Sequence, residues 1–242
     1  MESVVVATAV PPQPASAGVH LTASCGDDSA LCGPTWFAIA DGMGGHPDGH
    51  IAGRVAVDAL AARPAPASLD DVVESLALVD ESVRVAAQRA RAVGMGATLV
   101  AATALDGGAA VVHLGDARCY RLADGALTLL TRDHSYVQEL VDLGRLSADR
   151  ARHHRLRHVV TRALGVDGAA EPDTTFVPGP VGRLLLCSDG LTAELSTRAI
   201  GRVLAGITDP QAAAERLVDL AVRCGARDDV TALVVDDLGG RS

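Results

Sequence analysis

The chain has 242 residues, 48% of them hydrophobic and 21% charged, a balance typical of a folded globular protein rather than a disordered one. Its 30 acidic against 21 basic side chains give a formal net charge of −9, which argues against a nucleic-acid partner, and its low aromatic content argues against a base-stacking or sugar-stacking cleft. All the basic residues are Arg, and 23 of the 30 acidic residues are Asp, which favours caps, turns and ligand loops.

Hydropathy and cysteine usage indicate where such a protein works. No segment reaches the roughly 18 to 20 apolar residues that a bilayer-spanning helix needs, and prolines interrupt the apolar opening of the chain. The five cysteines are scattered and contain no CxxC pair, which argues against a zinc site and favours a reducing compartment. We therefore expect a cytoplasmic protein with no membrane segment.

The first half of the chain is predicted to contain four strands followed by two helices. The predicted strands are Val4–Val10, Val19–Ala23, Asp28–Leu31 and Thr35–Ala40, the last of which ends directly on Asp41. A Gly-rich loop over residues 42–50 leads into helical spacing from about Ile51, and Ser68 or Asp70 can cap a second helix. Residues 1–18 are expected to form a loosely attached N-terminal strand.

The second half changes from short strands to helices and back. The expected elements are strands at Thr98–Ala104, Ala109–Leu114, Arg118–Leu122 and Leu127–Leu130, helical structure over 134–158, a strand at Gly182–Ser188, helices at about 191–205 and 210–223, and a strand at Val230–Val235. Asp-Gly turns separate two of the strand pairs as hairpins. Because strands follow strands and helices follow helices, we expect an α+β protein with mainly antiparallel sheets, helices outside them and one domain over 1–242.

Three aspartates lie directly beside the most apolar strands. Asp41 and Asp189 follow such strands, and Asp228 precedes one. Taken singly, each is more typical of a turn or a helix N-cap than of a metal ligand. Together they indicate an oxygen-ligand site for a hard divalent cation such as Mg²⁺ or Mn²⁺, because strand ends can bring distant carboxylates together on a rigid scaffold.

An ordered series of motifs resembles that of the metal-dependent protein phosphatases, the type 2C serine/threonine phosphatases. The matching strings are DGMGGHPDGHIA (41–52), MGATLV (95–100), HLGDARCYRLADGAL (113–127), TRDHS (131–135), TRALG (161–165), CSDGL (187–191) and RDDVTALVVD (227–236). They cover nearly the whole chain from about residue 20, and the match is closest to small bacterial members. The resemblance implies a four-layer α-β-β-α sandwich with a two-metal site at one edge.

The resemblance also implies roles for individual residues. Asp41 would bridge two Mn²⁺ or Mg²⁺ ions, the Gly42 carbonyl would bind one of them, and Asp189 and Asp228 would bind the other. A hydroxide between the ions would then attack the phosphorus of phosphoserine or phosphothreonine.

Two further aspartates complete the implied site. Asp116 matches the ligand of a weaker third metal, and Asp28 would orient metal-bound water. Asp229 stands where the family usually has Asn, and Ala193 stands where the family has another possible ligand of the third metal.

The first motif departs from the family pattern. The family's phosphate-binding Arg is Ala23 here, and its Asn is Gly26. Loss of a bidentate guanidinium removes a contact of roughly 1.5–3 kcal/mol. His46, five residues after the bridging aspartate, is a candidate for contacting the substrate.

An Arg/His run, RARHHRLRH, lies at residues 150–158 within a stretch, 134–165, that corresponds to a flap beside the active site in the family. A solvated helix face or flexible loop explains the run as well as a substrate-recruiting surface does. In the second interpretation Arg152 and Arg155 contact phosphorylated or acidic segments and partly replace the missing Arg.

Three functions fit these observations. The favoured one is a cytoplasmic, monomeric phosphatase acting on phosphoproteins made by a serine/threonine kinase. The second is a regulatory pseudophosphatase with weak or no activity, suggested by Ala23. The third is a metal-dependent hydrolase of small phosphate esters.

Overall fold

The computed structural model describes residues 4–7, 16–22, 26–43, 49–166, 168 and 171–239. Its strands are β1 (Val4–Ala7), β2 (Ser16–Thr22), β3 (Asp28–Cys32), β4 (Trp36–Met43), β5 (Gly96–Ala97), β6 (Leu99–Leu105), β7 (Gly108–Leu114), β8 (Arg118–Ala123), β9 (Ala126–Leu129), β10 (Asp173–Pro178), β11 (Arg183–Cys187) and β12 (Val230–Asp236). Its helices are α1 (Gly49–Ala61), α2 (Leu69–Ala90), α3 (Tyr136–Asp142), α4 (Ala148–Ala151), α5 (Asp189–Glu194), α6 (Thr197–Gly206) and α7 (Pro210–Cys224).

The strands form two sheets whose described pairs are all antiparallel. One sheet has the order β1-β2-β12-β11-β8-β9, and the other has the order β10-β7-β6-β4-β3, with β5 added against β4. The predicted hairpins are confirmed: β6 pairs with β7 and β8 pairs with β9. Asp124 and Gly125 both take positive φ angles between β8 and β9, as a tight hairpin turn requires.

Three apolar clusters separate four layers and so confirm the predicted α-β-β-α sandwich. The middle cluster lies between the two sheets and includes Ile39, Val100 and Leu186. A second cluster packs α1 and α2 on the outer face of one sheet, around residues such as Trp36. The third packs α6 and α7 on the other sheet, around residues such as Leu217.

Capping residues account for where several helices begin. Ser68 forms a capping box with Asp71 at the start of α2, as one of the two predicted caps. Asp209 accepts a hydrogen bond from the Ala212 N–H at the start of α7. None of the helices in the described ranges is both long enough and apolar enough to cross a membrane.

The structure differs from the sequence-based elements in five places. Strand β4 continues through Asp41 to Met43, because Gly42 and Met43 pair with β5. Residues 134–158 contain two short helices and turns rather than one helical stretch, and the helix predicted at 191–205 is two helices, since Ser196 caps a new one. Strand β10 was not predicted, and β2 begins at Ser16, where it pairs with β12.

Candidate metal centre

Asp41 and Asp28 face each other across one sheet. They are direct partners in the β3–β4 ladder, so the ladder itself fixes their separation. The backbone on either side is also held: the Gly42 N–H donates to the Asp27 carbonyl at 3.1 Å, and the Thr98 N–H donates to the Asp41 carbonyl at 2.8 Å. Asp41 is therefore positioned inside a paired strand rather than in a loop after it.

Asp189 and Asp228 come from the other sheet. Asp189 is the first residue of α5, separated from the end of β11 by Ser188, and Asp228 precedes β12, the antiparallel neighbour of β11. Gly190 makes this arrangement possible, because a Cβ atom there would lie 2.1 Å from the Asp229 carbonyl oxygen. The chain end of β11 and the start of β12 are thus packed backbone against backbone.

Asp116 lies in the turn between β7 and β8. Gly115 precedes it with a φ of +98°, and a Cβ atom at Gly115 would lie 2.6 Å from Thr98. His134 holds this turn twice: its N–H donates to the Gly115 carbonyl at 2.8 Å, and its Nδ1 accepts from the Gly115 N–H at 3.2 Å. The side chain of His134 therefore braces the turn, whereas Ser135 caps the following helix.

The five carboxylates lie close enough to affect one another. Burial, reinforced first by Asp28 and then by Asp189, Asp116 and Asp228, raises the pKa of Asp41 to about 10. Because these carboxyl groups resist being ionised at the same time, a bound cation would stabilise their charged forms.

Asp28, Asp116 and Asp228 show the same direction of pKa shift. Burial is the main cause in each, and it raises the pKa of Asp116 to about 8 and that of Asp28 to about 7. It also raises the pKa of Asp228, with a contribution from Asp189. Exposure rises from the buried Asp28 and Asp116 to the exposed Asp228, so the cluster opens to solvent on one side.

Three residues that sequence reasoning did not assign hold Asp28 in place. The Thr231 hydroxyl lies 2.5 Å from Asp28 Oδ2, and Ser188 is a second hydrogen-bonding neighbour. The buried Asp229 carboxylate accepts from the Asp28 N–H at 3.4 Å and from the Asp27 N–H at 2.7 Å. Their signal in the sequence was their position beside Asp189 and Asp228, within the CSDGL and RDDVT motifs.

The structure describes two of the three predicted substrate contacts. Arg152 and Arg155 are exposed, and His46, like Ala23 of the first motif, lies outside the described residues. His158, which sequence reasoning did not single out, has Nδ1 3.7 Å from Asp189 Oδ2. This contact places the end of the Arg/His run beside the carboxylate cluster.

A second group of ligand-type side chains, His113, His134 and Asp173, does not suit a metal. The two imidazole rings are stacked with centroids 4.5 Å apart, so one ion cannot lie in both ring planes. His134 Nε2 is also 3.2 Å from Asp173 Oδ2 and 3.4 Å from the Arg162 guanidinium, which would repel a cation. The geometry is that of a hydrogen-bonded brace.

The chain is similar in sequence to known proteins over most of its length. The family model for protein phosphatase 2C matches residues 22–223. The serine/threonine protein phosphatase PstP of Mycobacterium tuberculosis is 39% identical over an alignment of 222 residues that covers 87% of this chain and 42% of that relative. The chain thus spans about two fifths of the relative's length. The serine/threonine phosphatase stp of Listeria monocytogenes is 34% identical over 208 residues, 82% of each chain.

A solved structure extends the similarity to three dimensions. The crystal structure of the catalytic domain of the serine/threonine phosphatase PstP in complex with two manganese ions has a TM-score of 0.83 and 32% identity, covering 93% of this chain and 98% of that one. The two proteins therefore share their overall fold.

Proposed function

Because the chain belongs to the protein phosphatase 2C family, we propose that it is a metal-dependent phosphatase that hydrolyses phosphoserine and phosphothreonine in proteins. The observation that supports this most directly is the cluster formed by Asp28, Asp41, Asp116, Asp189 and Asp228, contributed by both sheets and by the turn after β7. Its mutual pKa shifts fit a site built around positive charge.

The donor set suits hard divalent cations. Carboxylate oxygens are the ligands that Mn²⁺ and Mg²⁺ prefer. We propose that Asp41, the Gly42 carbonyl, Asp189 and Asp228 hold two such ions, with Asp116 at a weaker third, and the two manganese ions in PstP support that choice. When bound, such a pair of ions supplies a water of lowered pKa and offsets the charge on the phosphoryl group.

Asp28 is suited to handling the proton of that water. Its Oδ2 atom accepts a hydrogen bond from the Thr231 hydroxyl, and Asp28 is the direct ladder partner of Asp41. Burial raises the pKa of Asp28 in the metal-free protein, and this carboxylate is placed to accept a proton from water beside Asp41. Thr231 and Ser188 orient it.

The substrate side of the site is less cationic than the family pattern. Ala23 replaces the phosphate-binding Arg, so His46, Arg152 and Arg155 remain the proposed substrate contacts, joined by His158 beside Asp189. We further propose that the protein is a monomer that acts in the cytoplasm on the products of a serine/threonine kinase.

The decisive experiment measures hydrolysis of p-nitrophenyl phosphate and of a phosphothreonine peptide. The protein is assayed with Mn²⁺ and with EDTA, and the Asp189→Ala variant is assayed with Mn²⁺. We expect Mn²⁺-dependent turnover of both substrates, which EDTA and the substitution abolish. Asp219→Ala, which removes a partly exposed aspartate on α7, is the matched control and should remain active. Absence of metal-dependent turnover would favour the pseudophosphatase, and turnover of the small ester alone would favour the small-ester hydrolase.

A further inference from the structure

The flap, residues 134–165, concentrates positive charge on a chain that is acidic overall. Between residues 144 and 158 it carries five arginines and one aspartate, whereas the whole chain has a net charge of −9. The side chains of Arg150, Arg152, Arg155 and Arg157 are all exposed. We refer to these four side chains as the arginine surface.

Eight other arginines of the chain form a salt bridge, and the four of the arginine surface form none with a described residue. Arg118, Arg183 and Arg223, for example, each form an ion pair with an aspartate. Within the part of the chain that the structure describes, no carboxylate forms a salt bridge with any of the four flap arginines. Four exposed guanidinium groups within eight residues of chain are thus available to bind an anion.

Hydrogen bonds fix the base of the flap beside the carboxylate cluster. The Tyr136 N–H donates to the Val159 carbonyl at 2.8 Å, and the Thr161 N–H donates to the His134 carbonyl at 2.8 Å. The same His134 braces the Gly115 turn that carries Asp116. The two ends of the flap are therefore tied together next to the site.

The inner end of the arginine surface is adjacent to a proposed metal ligand. His158 Nδ1 lies 3.7 Å from Asp189 Oδ2, and Arg157 is the preceding residue. Three residues of chain span at most about 11 Å, so Arg155 lies within that distance of His158, measured between Cα atoms. An extended peptide advances about 3.3 Å per residue, which brings residues two to five positions from its phosphoresidue over this surface.

We propose that the arginine surface binds acidic side chains that flank the phosphoresidue of a protein substrate. This inference rests on the proposed phosphatase function and specifies its substrate class: phosphoproteins with Asp or Glu a few residues from the phosphorylated Ser or Thr. Charge complementarity selects this partner, because a guanidinium pairs well with a carboxylate and the remainder of the protein surface repels acidic chains. The surface also supplies positive charge near a site in which Ala23 replaces an Arg.

The experiment compares two phosphothreonine peptides that differ only in Glu or Gln at flanking positions. We expect kcat/KM to be about tenfold higher for the acidic peptide at low salt, mostly through KM, and the ratio to fall as salt is added. Arg152→Gln with Arg155→Gln should reduce the ratio by about fivefold. Arg152→Lys with Arg155→Lys keeps the charge and should preserve most of the ratio.

Arg198→Gln with Arg202→Gln is the matched control, since both side chains are exposed on α6 and have no salt bridge to any described residue. The control should leave the ratio unchanged. Equal rates for the two peptides, an unchanged ratio in the Arg152/Arg155 glutamine variant, or an equal loss in the control would overturn the proposal. If no substrate is hydrolysed at all, the proposed phosphatase function fails, and fluorescence anisotropy of the two peptides tests the docking proposal separately. Tighter binding of the acidic peptide that depends on Arg152 and Arg155 would support the docking proposal. Equal binding of the two peptides would refute it.

Discussion

The carboxylate cluster and the flap lie side by side but place their charges in opposite ways. Asp28 and Asp41 are partners in a sheet ladder, and Asp189 begins a helix shortly after a buried strand. The flap arginines project from a four-residue helix and the turns around it, and they are exposed. The same protein therefore holds like charges together rigidly in one region and leaves them in solvent in the other.

This difference has an energetic meaning. Like charges in a partly buried cluster are destabilising unless protons or cations neutralise them, as the raised pKa of Asp41 shows. Exposed arginines are screened by water and salt, so their repulsion costs little. We infer that the cluster needs a ligand for stability as well as for activity, whereas the flap needs one only for selectivity.

The largest expected effect comes from breaking the cluster. Asp41→Asn removes the central charge and should lower Mn²⁺-dependent kcat/KM by roughly a hundredfold or more, because each lost 1.4 kcal/mol of stabilisation costs a factor of ten. The check is steady-state hydrolysis of p-nitrophenyl phosphate. The control is Asp149→Asn, which neutralises an aspartate in the flap and should leave this rate within about twofold. Equal losses of activity in the two variants would contradict the difference between the cluster and the flap.

The second expected effect is a difference between the carboxylate cluster and the flap in how tightly their backbones are packed. Gly190→Ala would place a Cβ atom 2.1 Å from the Asp229 carbonyl oxygen, and we expect it to lower the free energy of unfolding by roughly 3 kcal/mol. Gly144 in the flap has open space but a φ of +66°, so Gly144→Ala should cost about 1 kcal/mol. Urea denaturation measures both, and a larger loss at Gly144 would show that the flap is the more rigid region.

The carboxylate cluster should also determine how the stability of the metal-free protein depends on pH. Folding raises the pKa of Asp28 to about 7 and that of Asp116 to about 8, so the folded, metal-free protein binds protons that the unfolded chain has released. Its stability therefore falls as the pH rises above about 4 and through these values, and Tm should drop by roughly 5 °C between pH 5.5 and pH 8.5. Asp41→Asn should flatten this decline, because it relieves the repulsion.

Carboxylates on the surface act in the opposite sense but in a different pH range. Arg223 lowers the pKa of Asp219, so the stability from that pair is lost only as the pH falls through the acidic range. A metal-free protein whose Tm rises between pH 5.5 and pH 8.5 would show that the cluster does not carry the charge we assign to it.

The smallest expected effect lies at the boundary of the two regions. His158→Ala removes a half-exposed side chain 3.7 Å from Asp189, and we expect kcat/KM for a phosphopeptide to fall by about tenfold. His158→Gln retains an N–H donor and should recover part of the loss. If neither variant changes kcat/KM, then His158 belongs functionally to the solvent-exposed flap rather than to the site.

The sequence predicted the cluster better than the flap for a physical reason. Asp41, Asp189 and Asp228 adjoin buried strands whose apolar residues are readily recognised, and a sheet brings such positions together. The extension of β4 through Asp41 escaped prediction because it depends on pairing with β5, a contact between residues more than 50 positions apart. The support of Asp28 by Thr231 spans about 200 residues and was likewise invisible.

The flap was harder to predict because its polar residues fit several conformations. Residues 134–158 have strong helix formers but few apolar positions, so local propensity alone suggested a helix that tertiary contacts do not maintain. The cap at Ser135 and the hydrogen bond from Tyr136 to Val159 instead fold the segment back on itself. The proximity of His158 to Asp189 follows from that reversal.

The central claim is that the carboxylate cluster is a divalent-cation site, and direct titration tests it. Calorimetric titration of Mn²⁺ into the metal-free protein at pH 7.5 should show saturable binding with release of protons, because Asp41 and Asp116 hold protons that a cation displaces. Asp41→Asn should weaken the binding by roughly tenfold or more. Absence of saturable binding, or binding that Asp41→Asn leaves unchanged, would contradict the account.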